Sequence, residues 1–198
     1  MSTEARRKPA TYKDLLAVPA HLIAEILDGD LFALPRPSPR HALASSMLGG
    51  DLVHSFGPPR GAQPPGGWWI LDEPELHLRD DILVPDIAGW RRERLMTLPE
   101  APFLELAPDW ICEVLSPATE AIDRGRKMEI YAREGVSYLW LLNPVQRTLE
   151  TYRLIDSRWT LLATLVGHAS VRAEPFDSVT LDMSRWWLPE EEKTEKPG

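Results

Sequence analysis

The stretch "PDWICEVLSPATEAIDRGRKMEIYAREGVSYLWLLNP" (Pro108–Pro144) constrains the fold more than any other part of the chain. Trp110–Leu115 is short and nearly all apolar, as a strand buried on both faces is. Ser116-Pro117 breaks it, a helix follows over about 119–134, and Gly135 suits the C-terminal cap of that helix. "SYLWLLNP" is a second apolar strand. Strand, helix and strand in succession require a crossover connection, hence some parallel pairing. Glu113 interrupts the first of these strands. A lone buried carboxylate is costly unless it is paired, hydrogen-bonded or bound to a metal.

The remaining segments build a mixed α/β sheet around this unit. Tyr12–Leu16 reads as a short helix ended near Pro19. In "HLIAEILDGDLFALP", Asp28-Gly29 is a strong two-residue hairpin turn between strands of about 21–27 and 30–35. Side chains alternate along a strand, so Ile23, Glu25 and Leu27 share one face, and Glu25 is a second carboxylate among core residues. Ser38 suits a helix N-cap and Pro39 the first helical position, with Ala44, Leu48 and Leu52 on one stripe. His41 falls in the first turn. "GPPRGAQPPGG" (57–67) is expected to be a mobile loop. "WWILDEPELHLRDDILVPDIAGWR" holds two or three strands, and Pro85-Asp86 breaks its last apolar run. Residues 91–107 are irregular and include Arg91, Arg92 and Arg94. "SYLWLLNP" and "RTLETYRL" form a hairpin, and "RWTLLATLVG" and "SVTLDM" are further strands. The sum is roughly eight or nine strands and about three helices, an α/β fold. One domain is expected over 11–188, between a disordered lead (1–10) and a disordered acidic tail (189–198).

Hydrophobic residues make up 43% and charged residues 26%, ordinary values for a soluble domain. The single cysteine, Cys112, excludes an internal disulfide and a cysteine-rich zinc site, and points to a reducing, cytoplasmic location. Cys112 itself reads as a small core residue. The N-terminal stretch lacks the apolar core of a signal peptide, and no run approaches the roughly 20 apolar residues of a membrane span. A net charge of −8 argues against sequence-blind attraction to nucleic acid. It leaves room for a local basic groove, or for phosphates met through a metal ion.

Three carboxylates therefore sit in or beside apolar strands: Glu25, Asp86 and Glu113. Each alone has an ordinary explanation, as a turn residue or a solvated strand position. Converging in a buried place, they would repel one another unless protonated or bridged by a cation. An all-oxygen cluster suits magnesium or manganese, while an acid pair of the glycosidase kind is the other chemistry that needs two carboxylates. Asp123, Lys127 and Tyr131 line one face of the helix after Glu113. If that face packs over the strand, Lys127 approaches the carboxylates, where an ammonium can orient water and stabilise phosphoryl charge. Lys127 also fits a solvated surface shared with Arg124, Arg126 and Glu129, and spacing alone leans slightly to that reading.

Asp123 is expected to cap the helix rather than bind Lys127. His41 either contacts substrate phosphate or is held by local polar groups. His21, His54, His77 and His168 show no ligand spacing. Asp109 lies four residues from Glu113, roughly 13 Å along the strand and too far for a shared metal. Ser116 caps its turn. Trp68, Trp69, Trp186 and Trp187 are core or interface residues, with base stacking as an alternative.

"HLIAEILDGDLFALPRPSPRH", "VPDIAGW" and the block Pro108–Pro144 together resemble the bacterial Uma-two family of restriction-type endonucleases, within the PD-(D/E)XK nuclease superfamily. The resemblance covers about residues 12–185. It implies a restriction-endonuclease-like mixed β-sheet flanked by helices, and a Mg2+- or Mn2+-dependent endonuclease acting on DNA. Asp86 matches the motif's Asp and Glu113 its Glu, the two metal ligands. Leu115 stands where the usual motif has Lys, and the family's lysine comes from the following helix, at Lys127. Glu25 matches an additional acidic residue, and His41 a polar, substrate-binding residue at the edge of the site. A nuclease fold that binds nucleic acid or assembles without turnover is the alternative. A homodimer is expected if both strands of a duplex are cut.

Overall fold

The structure, a computed structural model, describes residues 8–58 and 67–189. Most of the loop 57–67, the lead up to residue 7 and the tail from 190 lie outside the described residues. In chain order the elements are α1 (Tyr12–Leu16), β1 (Leu22–Leu27), β2 (Asp30–Pro35), α2 (Pro39–Phe56), β3 (Trp68–Asp72), β4 (Leu76–Leu78), β5 (Asp81–Leu83), β6 (Ile87–Arg91), β7 (Trp110–Val114), α3 (Glu120–Ile122), a π-helical turn (Asp123–Lys127) and α4 (Met128–Arg133). Then come β8 (Tyr138–Asn143), β9 (Thr148–Ile155), β10 (Arg158–Val166), β11 (Ser170–Val171), β12 (Leu181–Asp182) and a 3-10 turn (Met183–Trp186). None of the helices described is long and apolar enough to cross a membrane.

A six-stranded sheet runs in the order β10-β9-β8-β7-β6-β3, and a four-stranded sheet in the order β2-β1-β5-β4. β7 and β8 pair in parallel across the expected crossover, with Glu113 beside Leu141. The β1–β2 hairpin turns at Asp28 and Gly29, whose φ values of 51° and 82° are the left-handed pair that Asp-Gly supplies. Gly135, at φ 77°, follows the last helical turn as a left-handed cap.

The structure contains more strands than the sequence pattern implies: the stretch read as two or three strands, in which "ELHLR" alternates, holds four, β3 to β6, and the two-residue β11 lies outside every expected strand. The crossover helix runs without interruption from Glu120 to Arg133, in agreement with the expected helix over about 119–134, and carries a five-residue π-helical turn, Asp123–Lys127, in its middle.

Two apolar clusters cover the large sheet. On one side Ala44, Leu48 and Leu52 of α2 pack with Trp110, Cys112, Trp140 and Phe176. On the other, Ile111 and Leu115 pack with Ile130, Tyr131 and Leu139 beneath the crossover helix and the smaller sheet. Glu113 points to this second side, in the gap between the two sheets.

Candidate active site

The connection Val84-Pro85-Asp86 joins β5 of the small sheet to β6 of the large one, and it organises the site. Pro85 has no N–H, so the strand ladder stops there. The backbone N–H of Val84 instead donates to Glu25 Oε1 at 2.7 Å. Asp86 in turn accepts from the N–H of Val114 through Oδ2, also at 2.7 Å. β6 pairs antiparallel with β7, Ile87 opposite Cys112. Extending that register by one residue sets Asp86 across from Glu113, both side chains on the same face.

Lys127 closes the group. Its ammonium lies 2.9 Å from Glu113 Oε1, 3.1 Å from Glu25 Oε1 and 3.6 Å from Asp123 Oδ1, and its side chain is 4% exposed. The Tyr131 hydroxyl donates to Glu113 Oε1 at 2.5 Å. Asp123, Lys127 and Tyr131 thus share one inward stripe. The π turn helps to keep it straight: four residues fall short of a full turn in the wider helix and overshoot one in an α-helix, so the two drifts offset. Neighbouring cations face outward and clamp the helix. Arg124 binds Glu150 with both terminal nitrogens, and Arg126 reaches Asp30 at 2.7 Å.

Asp123 does not cap the helix. It lies within the helical segment, buried, hydrogen-bonded to the Thr119 side chain and beside Lys127. Burial and the ammonium four residues on draw it inward, so it joins the cluster that spacing alone did not assign to it. Tyr131 was placed on the right face by periodicity but had no visible role. Its partner, Glu113, lies on another element 18 residues away. His41, in the first turn of α2 under its Ser38 cap, places Nε2 3.3 Å from Asp86 Oδ1. Asp109 is engaged elsewhere, with the N–H of Arg91 and the Arg94 guanidinium. Ser116 sits in its turn against Thr119. Trp68, Trp186 and Trp187 are buried core residues.

Among the described residues four carboxylates, Glu25, Asp86, Glu113 and Asp123, line one pocket of about 310 Å3 together with Lys127, His41 and Arg36. The proton affinities of Glu113, Asp123, Lys127 and His41 are raised. Burial pushes Glu113 well above its ordinary value despite Lys127, and pushes Asp123 up for the same reason. Burial works against the Lys127 ammonium, but Glu113, Glu25, Tyr131 and Asp123 outweigh it and hold the pKa well above that of a free lysine. Burial also opposes charge on His41, and Asp86 overcomes it, so its pKa rises. Burial is the chief cause for Glu113 and Asp123, whereas the neighbouring carboxylates raise Lys127 and His41 against it.

The donor set fits a hard divalent cation. Glu25 and Glu113 each meet their protein donors through Oε1, while Asp86 meets the Val114 N–H through Oδ2 and His41 through Oδ1. Among the described residues no group of three or more His, Cys, Asp or Glu side chains is arranged to hold a metal ion. Magnesium does not require one, since it commonly takes one or two carboxylates and completes its shell with water and substrate phosphate.

A crystal structure described as "a putative nuclease belonging to DUF820 from Anabaena variabilis ATCC 29413" matches with a TM-score of 0.72 at 22% identity, covering 90% of this chain and 97% of that one. The two share the restriction-endonuclease-like mixed α/β fold. Comparison with curated proteins returns no match. The family model Uma2, described as "Putative restriction endonuclease", matches residues 9–184, and by that match over most of its length this chain belongs to the Uma2 family.

Proposed function

We propose that the protein is an endonuclease that hydrolyses phosphodiester bonds in DNA, with Mg2+ or Mn2+ held by Asp86 and Glu113. The observation that carries this is the convergence of Glu25, Asp86 and Glu113 with Lys127 on the floor of one pocket. Membership in a family described as restriction endonucleases supports it. In such a hydrolysis a water oxygen bonds to phosphorus, the bond from phosphorus to one sugar oxygen breaks, and that oxygen takes up a proton. A divalent cation, when bound, neutralises charge developing on the phosphoryl oxygens. The chain's own residues do the rest. Val114 N–H and His41 fix Asp86, and Tyr131 fixes Glu113. Lys127, held by Glu25 and Asp123, donates toward the attacking water or the phosphoryl group. His41 reaches the substrate phosphate from the edge of the pocket. A homodimer would present two such sites to a duplex.

The test is cleavage of plasmid DNA with Mg2+ or Mn2+ by the wild type, Asp86→Ala and Glu113→Ala. Each variant should lose about 100-fold or more, the scale of removing one preorganised electrostatic partner. Equal cleavage by all three proteins would remove these residues from the chemistry. A rival, a nuclease fold that binds nucleic acid or assembles without turnover, draws support from the commitment of Lys127 to Glu25 and Glu113. It predicts DNA binding with no cleavage under either metal.

A further inference from the structure

The floor of the pocket is acidic, so a polyanionic strand entering it needs positive charge at the rim. Among the described residues three cationic side chains line the pocket: Lys127, His41 and Arg36. Lys127 is buried among carboxylates and His41 faces Asp86. Arg36 is different, with its side chain 56% exposed. Its contacts are long: Nη1 stands 3.4 Å from Glu73 Oε2, and Nη2 donates to the Ala20 carbonyl at 3.3 Å. An exposed pair of that kind is worth little and yields easily to a better anion.

The backbone around Arg36 is stiff. It follows β2 between Pro35 and Pro37. Pro35 has a fixed φ, and Pro37 holds the residue before it extended. The guanidinium is therefore carried on a backbone with little freedom to lose on binding. Arg36 also lines a second hollow of about 360 Å3, which shares Ile23 and Val84 with the first. It stands where the two hollows meet, on the path from the carboxylates outward.

We infer that Arg36 is a substrate-binding residue that grips a backbone phosphate of the nucleic-acid strand, next to the bond presented to Asp86 and Glu113. The guanidinium fork matches a phosphate with two parallel hydrogen bonds, which a lysine cannot reproduce. Glu73 is the competing anion that holds Arg36 when no phosphate is present. This inference rests on the nuclease assignment above.

The experiment is fluorescence anisotropy of the full chain with labelled duplexes of two unrelated sequences, with Ca2+ in place of Mg2+ so that binding is read without turnover. Arg36→Ala should weaken binding about tenfold on both sequences, the scale of one charge-assisted hydrogen bond. It should also reduce the slope of log K against log salt by about 1. Arg36→Lys should keep the slope and lose part of the affinity. Glu73→Gln should tighten binding, because the competing anion is gone. Mn2+ affinity, measured without DNA, should be unchanged in Arg36→Ala. A wild-type slope and affinity in Arg36→Ala overturns the role of Arg36 alone, as does a parallel loss of Mn2+ affinity. A wild type that binds no DNA overturns the nuclease assignment and this inference together.

Discussion

The two faces of β7 are equally buried and differently filled. Trp110, Cys112 and Val114 point one way, each 0% exposed. They meet a wholly apolar layer in which Trp110 packs edge-on against Trp140 and Phe176, with ring centroids 5.3 and 5.0 Å away. Ile111, Glu113 and Leu115 point the other way, and Glu113 is just as enclosed at 2%. There the space is filled by an ammonium, a phenol and three further carboxylates. The apolar face needs its neighbours only to have the right volume. The charged face needs each partner to be present, because a buried charge without its partner is far more costly than a methylene gap.

The largest expected effect tests that asymmetry. Lys127→Met should cost about 3–5 kcal/mol in urea unfolding, the usual penalty for breaking a buried pair from one side. With the ammonium gone, Glu113 should be tolerated when protonated and costly when ionised, so the loss should be greater at pH 9 than at pH 5. Adding Glu113→Leu should restore much of the stability, since an apolar replacement of both partners is often neutral. On the opposite face Trp110→Ala should cost a similar 3–5 kcal/mol. A Lys127→Met protein as stable as the wild type at pH 9 would show that the two faces obey the same rule.

Next in size is Tyr131→Phe, which removes the hydroxyl holding Glu113 and leaves the ring in the core. Loss of a group that orients a ligand typically costs 10- to 100-fold in metal affinity, so a Mn2+ titration should show weakening of at least about tenfold. Unchanged Mn2+ affinity would confine Tyr131 to packing. A smaller effect attaches to His41, whose pKa is raised above 6.5 in the fold. A raised value means that folding favours its protonated form. That stabilisation is complete below 6.5 and is lost as pH rises through the folded value. His41→Gln should flatten this part of the stability profile, and an unaltered profile would argue against the Asp86 contact. The smallest effect belongs to the apolar face. Cys112 is fully enclosed, with its thiol pushed well up by burial. It should stay unreactive toward a thiol reagent until the protein unfolds, and Cys112→Ala should cost only about 1 kcal/mol.

Local signals made much of the fold legible. The Asp28-Gly29 turn, the Ser38 cap with Pro39, the Leu48/Leu52 stripe and the Gly135 cap all depend on a few neighbouring residues. The alternation of "ELHLR" marks β4 as a strand, but its pairing with β5 was not legible, because a pairing depends on the partner strand as well. The site divides in the same way. Glu25, Asp86 and Glu113 stood out as charges interleaved with apolar residues. Asp123 resembled a cap because its role depends on Lys127 and Thr119 being enclosed with it. Nothing in the sequence singled out Arg36, whose place beside the carboxylates comes from the pocket rim.

By itself the sequence determined that Glu113 lies in a buried strand, that a helix crosses over to a parallel neighbour, and that more carboxylates than solvation could explain lie among apolar residues. Alternation and helical periodicity report which side of an element is buried, and those follow from backbone geometry alone. The tertiary structure decided what meets on that side. Lys127 could have faced water with Arg124 and Arg126. The π turn and the packing of the crossover helix between the two sheets turned it onto Glu113 and Glu25. Spacing along one helix cannot specify contacts with strands that lie far away in the chain.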